Sequence, residues 1–408
     1  DGLRRQVQPV DAETFFRFLF AHHGIGQSTR LHSRAGLQGA IRLVEGFEAP
    51  AGAWEHDLLP ARVAEYDPER LDELFAGGEI VWGRLQPPRL TDDNRGRVLT
   101  RIAPISLSRR ADLAWLLPAE RNISPGYARW DAQAVYEALN SHGALFFDDL
   151  LAATKLLPAQ VEDALRELAA LGLVTSDGFS AVRSTIVKHA HTPGRSARRA
   201  TKRRRRREAY ARSGRWSKFP PFVQPIAEDE RAERWAWLLL NRYGVMFRDL
   251  LARESLAPSW SDLVRVYRRL EMRGEIRGGR FVAGVAGEQF ALSEAVEKLR
   301  QLRDELPEQS WQVISAADPI NLVGIITRDP RVPATRANRV LFANGRAIAA
   351  SESRSVRWLT DIDEAARQRA TRLLLGPDTW RRQQLAMEFV ELNEPIQPSA
   401  LPGVFPIA

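Results

Sequence analysis

The stretch His142-Gly-Ala-Leu-Phe-Phe-Asp-Asp-Leu-Leu151 recurs, with one gap, as Tyr243-Gly-Val-Met-Phe-Arg-Asp-Leu-Leu251. After a turn, each copy continues into a segment whose apolar residues fall on one face of a helix. Each helix precedes a short segment that begins with glycine, residues 172–178 and 274–282, and favours a β-hairpin. Helices followed by a hairpin are typical of a winged-helix domain, in which the hairpin is the wing and the preceding helix usually meets DNA. The apolar positions are Val161, Ala164, Leu165, Leu168 and Leu171 in the first copy, and Leu263, Val266, Tyr267 and Leu270 in the second.

A third, looser copy lies near the start of the chain. Asp72-Glu-Leu-Phe-Ala-Gly-Gly-Glu-Ile-Val-Trp-Gly-Arg-Leu85 contains the pattern Gly-Glu-Ile-x-x-Gly-Arg, which recurs at residues 274–280. Internal repeats of this kind indicate repeated structural units. The sequence therefore predicts three winged-helix domains, at residues 1–117, 124–187 and 229–285. Between the second and third, residues 188–228 are predicted to form a basic linker or arm.

The pattern changes after Phe290. An apolar run at 322–327 indicates a strand, and Asn344-Gly345 is the strong signal for a type I′ turn between two further strands. Another strand is predicted at 355–359, followed by helices near 362–375 and 379–386. Residues 286–408 are therefore predicted to form a small β-barrel or sheet module with appended C-terminal helices. The fold class predicted for the whole chain is α+β, with tandem winged-helix domains followed by this module.

The positive charge is concentrated in one part of the chain. The formal net charge is +8, yet residues 188–218 contain thirteen Lys or Arg and one acid, Glu208, so the remaining residues are together slightly negative. The run from Arg203 to Arg207 is the strongest electrostatic feature. A local basic block attracts phosphate or another acidic surface, whereas a uniform coat would only keep the protein soluble.

Several classes of function are excluded or disfavoured. The chain has no Cys, which excludes disulfides and thiolate metal sites, and its seven His show no metal-ligand spacing. We therefore predict no metal site. No apolar run is long enough for a membrane span, so we expect no membrane partner. The phosphate-binding motif Gly-x-x-x-x-Gly-Lys-Ser/Thr is absent, which argues against ATP hydrolysis by this chain.

The three predicted DNA-reading helices differ in charge. The first two are acidic, and acidic helices repel phosphate, so these two domains are interpreted as scaffold or interface. The third places Arg265, Arg269 and Arg273 on one stripe opposite its apolar face. The alternative is an exposed arginine face that contacts nothing. The residues predicted to bind nucleic acid in this domain are Arg265, Arg268, Arg269 and Arg273 on the helix, and Arg277 and Arg280 on the wing.

Two further features are candidates for nucleic-acid binding. Arg331, Arg336 and Arg339 lie in a predicted loop of the β module, where they are able to follow a phosphate backbone; a plain surface loop is the alternative. Trp82 lies in the predicted wing of the first domain. It is a candidate wedge or stacking platform, although a large aromatic side chain more often packs on its own core.

Several longer runs resemble the C-terminal region of the bacterial large helicase-related protein (Lhr) family. Its members are superfamily 2 DNA translocases, and their long C-terminal extension resembles the winged-helix DNA glycosylases of alkylation and crosslink repair. For some members this extension is implicated in removing uracil from DNA. The runs that carry the resemblance include residues 44–50, 58–62, 78–84, 144–150, 273–284, 287–291 and 317–324.

The resemblance implies a set of partners and a location. We expect DNA, single-stranded or damaged, as the ligand, and the helicase core of the same polypeptide as a partner. ATP and Mg²⁺ would then act only through that core, and this chain would need no cofactor of its own. A cytoplasmic, nucleoid-associated protein is expected, assembly into a homo-oligomer stays open, and the first residue, Asp1, suggests part of a longer protein.

Two residues are candidates for catalysis. A glycosylase needs a carboxylate, sometimes helped by a Gln, to stabilise the sugar cation and hold a water. Asp318 precedes the apolar run of the β module, and Gln289 follows Glu288. An Asp before Pro more often starts a turn. The Gln-apolar-Gln or Gln-apolar-Asp signature of the related glycosylases is missing near the start of this chain, which puts the transfer of catalysis in doubt.

Three hypotheses remain open from the sequence. The chain is a uracil-directed DNA glycosylase module within a repair helicase, a non-catalytic DNA-binding and oligomerisation platform for the motor, or an RNA-binding platform for it. A concave basic groove with a carboxylate at its floor would favour the enzyme. An Asp318 held in structural hydrogen bonds would favour a platform.

Overall fold

Three winged-helix units and one antiparallel sheet make up the described part of the chain. This computed structural model describes residues 8–26, 28–88, 98–117, 126, 128–186, 214–219, 226–305, 310–353 and 355–375. The run Arg203–Arg207 and the helix predicted near 379–386 lie outside these residues. The mixture of helices and sheets confirms the predicted class.

The first unit has a three-stranded sheet in the order β1-β3-β2. Asp11 caps its first helix by accepting a hydrogen bond from the Thr14 amide, at 2.8 Å, and Asp67 caps α4 in the same way. A π-helix, a rare form, precedes α3. The elements are α1 Ala12–His22, α2 Ser33–Leu43, β1 Ala49–Pro50, the π-helix Trp54–Leu58, α3 Leu59–Arg62, α4 Pro68–Ala76, β2 Ile80–Gly83, β3 Pro104–Arg109, the 3₁₀ turn Arg110–Asp112 and α5 Leu113–Leu116.

The second unit completes its wing with a distant strand. The predicted tight hairpin at 172–178 is wrong, because β4 pairs with β5, which falls inside the predicted linker 188–228. After β4 the chain turns into a helix instead of returning directly, and Leu145 bridges to Trp216. The elements are α6 Trp130–His142, α7 Phe147–Thr154, α8 Pro158–Leu171, β4 Val174–Ser176, α9 Ser180–Ile186 and β5 Trp216–Lys218.

The third unit extends beyond its predicted end at residue 285. Its sheet has the order β6-β8-β7, so the predicted boundary falls between two strands of the same sheet. A helix that the sequence did not predict, α12, follows β8. The elements are α10 Glu228–Tyr243, β6 Val245–Met246, the 3₁₀ helix Arg248–Arg253, α11 Trp260–Met272, β7 Arg277–Gly279, β8 Gln289–Ala291 and α12 Ser293–Asp304.

The β module is an open four-stranded sheet in the order β12-β11-β10-β9. Of the predicted alternatives, a small β-barrel or a sheet, the described residues form the sheet and no closed barrel. The Asn344-Gly345 turn is confirmed, with φ of 54° and 87°. The run 322–327 forms turns and not a strand, since its buried apolar residues pack without a β-partner. The elements are β9 Trp311–Ser315, β10 Arg339–Ala343, β11 Arg346–Glu352, β12 Ser355–Trp358 and α13 Glu364–Leu375.

Two apolar cores hold these parts together. In one, Phe16 and Phe20 of α1 contact Phe342 of β10, with ring centroids 4.7 and 5.1 Å apart. In the other, Trp82 of the first unit meets Trp216 of the second edge to face, at 6.1 Å. The first unit therefore lies between the second unit and the β module.

The acidic helix α4 of the first unit also packs against the second unit. Asp72 on α4 forms an ion pair with Arg183 of the second unit, at 2.5 Å, and accepts a hydrogen bond from the Phe179 amide. The Phe75 and Phe179 rings stack at 5.8 Å. The interpretation of α4 as an interface helix is therefore confirmed.

Replacing Trp82 with Ala tests the importance of the interface between the first two units. The indole is fully buried, so Trp82→Ala should lower the free energy of unfolding by about 3–5 kcal/mol. Trp130→Ala is the matched control, because Trp130 is 67% exposed, and its effect should stay within about 0.5 kcal/mol. Urea denaturation measures both; equal effects would contradict the role given to Trp82.

Candidate nucleic-acid interface

The arginines of α11 lie on its solvent side, but carboxylates already contact them. The side chains of Arg265, Arg269 and Arg273 are 75%, 47% and 50% exposed, which confirms the predicted stripe. Arg265 pairs with Asp262, and Arg273 lies 2.9 Å from Glu233. The stripe is therefore largely neutralised by its own surroundings. The remaining pairs of these arginines are Arg268–Glu288, Arg273–Glu275 and the longer Arg269–Glu233.

The wing of the third unit carries arginines of a different kind. Arg277 and Arg280 are exposed, and neither forms an ion pair with any described residue. Between them lie Gly278 and Gly279, and a Cβ at position 278 would collide with the Glu271 carboxylate, so glycine admits this side chain beside the wing. A cavity of about 340 Å³ lies beside this wing, bounded also by α12. The wing thus presents two exposed arginines that form no ion pair with a described residue.

The predicted basic loop of the β module does not act as one surface. Arg331 is exposed, but Arg336 and Arg339 turn toward the first unit. The Arg336 Nε donates to the Gly52 carbonyl at 3.0 Å, and the Arg339 guanidinium lies 3.6 Å from Asp57 Oδ1. The three arginines therefore do not form one continuous surface, because Arg336 and Arg339 contact a neighbouring domain.

Trp82 is a structural residue. Its indole is fully buried, and the Nε1 donates to Ser176 Oγ and to the Gly178 carbonyl, at 3.3 and 3.2 Å. No base is able to stack on a ring that is enclosed in this way. The stacking role is therefore wrong, and the alternative, packing on the core, is the one observed.

Gln289 is engaged in holding the wing. It is 1% exposed, and its Oε1 accepts hydrogen bonds from the amides of Phe281 and Val282, both at 2.8 Å. Its Nε2 donates to the Val282 carbonyl at 2.9 Å. With both ends of the amide occupied in the returning part of the wing, the predicted catalytic role is wrong.

The carboxylate of Asp318 is also fully occupied by structural hydrogen bonds. Its two oxygens accept from the two terminal nitrogens of Arg62, at 2.7 and 2.8 Å, and both side chains are almost completely buried. The Ile320 amide also donates to Asp318 Oδ1, at 3.2 Å. A carboxylate in a buried two-point ion pair is not available to activate a water. The structure therefore contradicts Asp318 as the catalytic carboxylate.

A buried histidine adjoins this ion pair. His23 is fully buried, and its Nδ1 accepts a hydrogen bond from the Arg62 guanidinium at 2.9 Å. Its Nε2 donates to the Arg242 carbonyl at 2.7 Å. Burial, and then the charge of Arg62, hold the pKa of His23 well below its ordinary value. The neutral ring is the form that fits between two arginines.

A second buried cluster lies on the other side of His23. Arg242 is fully buried and pairs with Glu254, which also accepts from the Tyr243 hydroxyl at 2.7 Å. Arg242 donates further to the carbonyls of Leu43 and Glu45 in the first unit. Burial, and next the Glu254 charge, raise the pKa of Tyr243 far above its ordinary value. The third unit is therefore fixed to the first by charged groups that never reach solvent.

Other kinds of site are not evident in the described residues. No group of three or more acidic or histidine side chains there is arranged to hold a metal ion. No described helix is long and apolar enough to cross a membrane.

Three winged-helix units, one with an exposed basic wing, define this chain as a tandem winged-helix protein. Residues 10–100 and 225–311 each match a winged-helix domain model of the large helicase-related protein. The chain belongs to the large helicase-related protein family, as the sequence runs predicted.

Two curated relatives agree with this assignment. The Lhr helicase/probable uracil glycosylase of Mycolicibacterium smegmatis is 31% identical over 344 residues, which is 79% of this chain and 22% of that protein. The Lhr helicase/uracil glycosylase of Escherichia coli is 29% identical over 383 residues, 84% of this chain and 24% of that protein. The chain spans less than a quarter of the length of each.

A solved structure shares the fold. The DNA glycosylase AlkZ of Streptomyces sahachiroi superposes with a TM-score of 0.50 at 13% identity, over 93% of this chain and 98% of that one. At this identity the likeness concerns the fold alone.

The buried His23 predicts a pH dependence of stability. Because its pKa is lowered in the folded state, the unfolded chain binds a proton more readily, so stability is complete above about pH 6.5 and falls as the pH drops below it. Thermal unfolding between pH 7.5 and 5 should show this loss, and His23→Gln should flatten the profile. His32→Gln, at an exposed histidine, is the control. An unchanged slope in His23→Gln would refute the assignment.

Proposed function

We propose that this chain is the DNA-binding module of a repair helicase of the large helicase-related family, and that its third unit binds DNA through the wing. The observation that carries this proposal is the pair Arg277 and Arg280, exposed and without carboxylate partners among the described residues. Charge-assisted contacts to phosphate supply most of the affinity in nucleic-acid binding. On α11, by contrast, phosphate has to displace carboxylates first.

The two relatives are the basis for proposals about the helicase core, the substrate and the reaction. We propose that a helicase core in the same polypeptide supplies ATP and Mg²⁺ chemistry, since this chain lacks the phosphate-binding motif. Single-stranded or damaged DNA in a cytoplasmic, nucleoid-associated setting is the proposed substrate. Both relatives are named as uracil glycosylases, in one case as a probable one. Removal of uracil is therefore the proposed chemistry.

A second candidate function is a non-catalytic DNA-binding and oligomerisation platform for the helicase motor. The specific observation in its favour is that both candidate catalytic residues, Asp318 and Gln289, have structural roles. If the chain is a glycosylase, its carboxylate is another residue. An RNA-binding platform is the third alternative, and the binding assay separates it from the others when RNA and DNA oligonucleotides are compared.

The wing and the helix make different predictions for binding. The double variant Arg277→Ala/Arg280→Ala should weaken binding of a single-stranded DNA oligonucleotide at least about tenfold, and should reduce the slope of log affinity against log salt by about 0.7 for each lost phosphate contact. The matched control is Arg265→Ala/Arg268→Ala, which removes the same charge from α11 and should weaken binding less than about threefold. Fluorescence anisotropy at several salt concentrations measures both. The reverse order would assign binding to the helix.

Catalysis is tested without ATP. The chain is incubated with a uracil-containing single-stranded oligonucleotide, treated with alkali and analysed by gel electrophoresis. Cleavage at uracil is the expected result. Asp318→Asn, which keeps the shape of the side chain, should retain cleavage wherever it stays folded. Binding without cleavage would support the platform instead.

A further inference from the structure

The joint between the first unit and the β module contains an unusual concentration of charge. The π-helix Trp54–Leu58 lies beside the β module here, and π-helices occur frequently at functional sites. Asp57 on this helix is 2% exposed, whereas the neighbouring His56 side chain is 37% exposed. We call the group that surrounds them the joint cluster. It consists of His56, Asp57, Arg101, Arg336 and Arg339.

Arg339 of the joint cluster pairs with Asp57, and Arg101 and Arg336 both contact Gly52. The Gly52 amide donates to the Arg101 carbonyl at 2.9 Å, and the Gly52 carbonyl accepts from the Arg336 Nε at 3.0 Å. Arg101 comes from the first unit, and Arg336 and Arg339 from the β module. Burial lowers the pKa of Arg336, the charges of Arg101 and Arg339 lower it further, and Asp57 opposes them. The cluster therefore keeps an excess of positive charge where two modules meet, and like charges held together in this way repel one another.

The hydrogen-bond donors of Arg336 are only partly used. Its Nε donates to the Gly52 carbonyl, and a Cβ at position 52 would lie 3.0 Å from that nitrogen, so glycine permits the close approach. Within the described residues, its two terminal nitrogens make no hydrogen bond. Arg101 is exposed there and forms no ion pair. The terminal nitrogens of Arg336 are not enclosed by protein, so they are able to donate to an anion that approaches from solvent.

We propose that the joint cluster binds a phosphate group of the nucleic-acid backbone, held between Arg101 of the first unit and Arg336 of the β module. Guanidinium groups bind phosphate through two parallel hydrogen bonds, and an anion here offsets the mutual repulsion of the arginines. Asp57 keeps Arg339 in place and limits the excess charge. The inference rests on the proposed DNA-binding function and adds a second contact, away from the wing.

This location has a consequence for how the modules respond to DNA. Neither module contains the complete site, since each contributes at least one of the arginines. A phosphate bound at the joint therefore bridges the two modules, and binding stabilises their relative position. The wing contact lacks this property because both of its arginines belong to one unit.

The test compares Arg101→Ala with Arg328→Ala in the full chain. Both arginines are exposed, and Arg328, in the β module, is the matched control for loss of one surface charge. Arg101→Ala should weaken binding of a single-stranded DNA oligonucleotide about three- to tenfold and reduce the salt slope by about 0.7. Arg328→Ala should leave both unchanged. Equal effects of the two variants would overturn the proposal.

Inorganic phosphate serves as the second probe. It should raise the melting temperature of the wild-type chain and have less effect on Arg101→Ala and Arg336→Gln. Stabilisation by phosphate, combined with unchanged oligonucleotide binding in Arg101→Ala, would show a site for free phosphate and overturn the backbone assignment. No response of any variant to either probe would show a purely structural cluster.

The two proposals fail separately. Loss of oligonucleotide binding in the wing variant together with normal binding in Arg101→Ala leaves the proposed function intact and overturns only the joint site. A wild-type chain that binds no oligonucleotide overturns the proposed function and the backbone assignment together.

Discussion

The buried ion pair between Arg62 and Asp318 is the interaction on which the arrangement of the molecule depends. Arg62 ends a helix of the first unit, and Asp318 follows the first strand of the β module. Arg253 of the third unit donates to the Asp318 carbonyl at 2.7 Å, so three parts of the chain meet at one residue. Removing one partner of such a pair costs about 3–5 kcal/mol, because the other charge is left buried without compensation.

The apolar contacts between the units differ in effect from the buried polar contacts of Arg62 and Arg242, which we call the junction. The aromatic core around Phe342 supplies free energy, but apolar burial has little directionality and tolerates small rotations of one unit against another. Two-point bonds from Arg62, and the bonds from Arg242 to backbone carbonyls of the first unit, require one orientation. The junction therefore determines the relative positions of the wing and the joint cluster, and with them the path that DNA would follow.

The features that the sequence predicted correctly are local ones. The repeat, the Asn344-Gly345 turn and the exposed stripe of α11 depend on residues close in the chain, and each was recognised from spacing or turn chemistry. The partner of Asp318 lies 256 positions away, and no local signal distinguishes an aspartate that begins a turn from one that fills a buried ion pair. The contact between Trp82 and Trp216 likewise joins residues that are far apart in the sequence. Of the joint cluster, the sequence singled out Arg336 and Arg339 but missed Arg101, His56 and Asp57, because these three come from a separate module.

The pairing that completes the wing of the second unit also affects how the basic segment around Arg203–Arg207 is connected to the fold. Strands β4 and β5 are paired, and the run Arg203–Arg207 lies in the chain between them. The described residues on either side of this segment therefore belong to one unit, and in the connectivity of the chain the segment closes a loop. The entropy of closing such a loop grows only with the logarithm of its length, by about 0.6 kcal/mol for each doubling. Lengthening, shortening or recharging this segment should therefore cost the second unit little, so its charge is free to evolve independently of the fold.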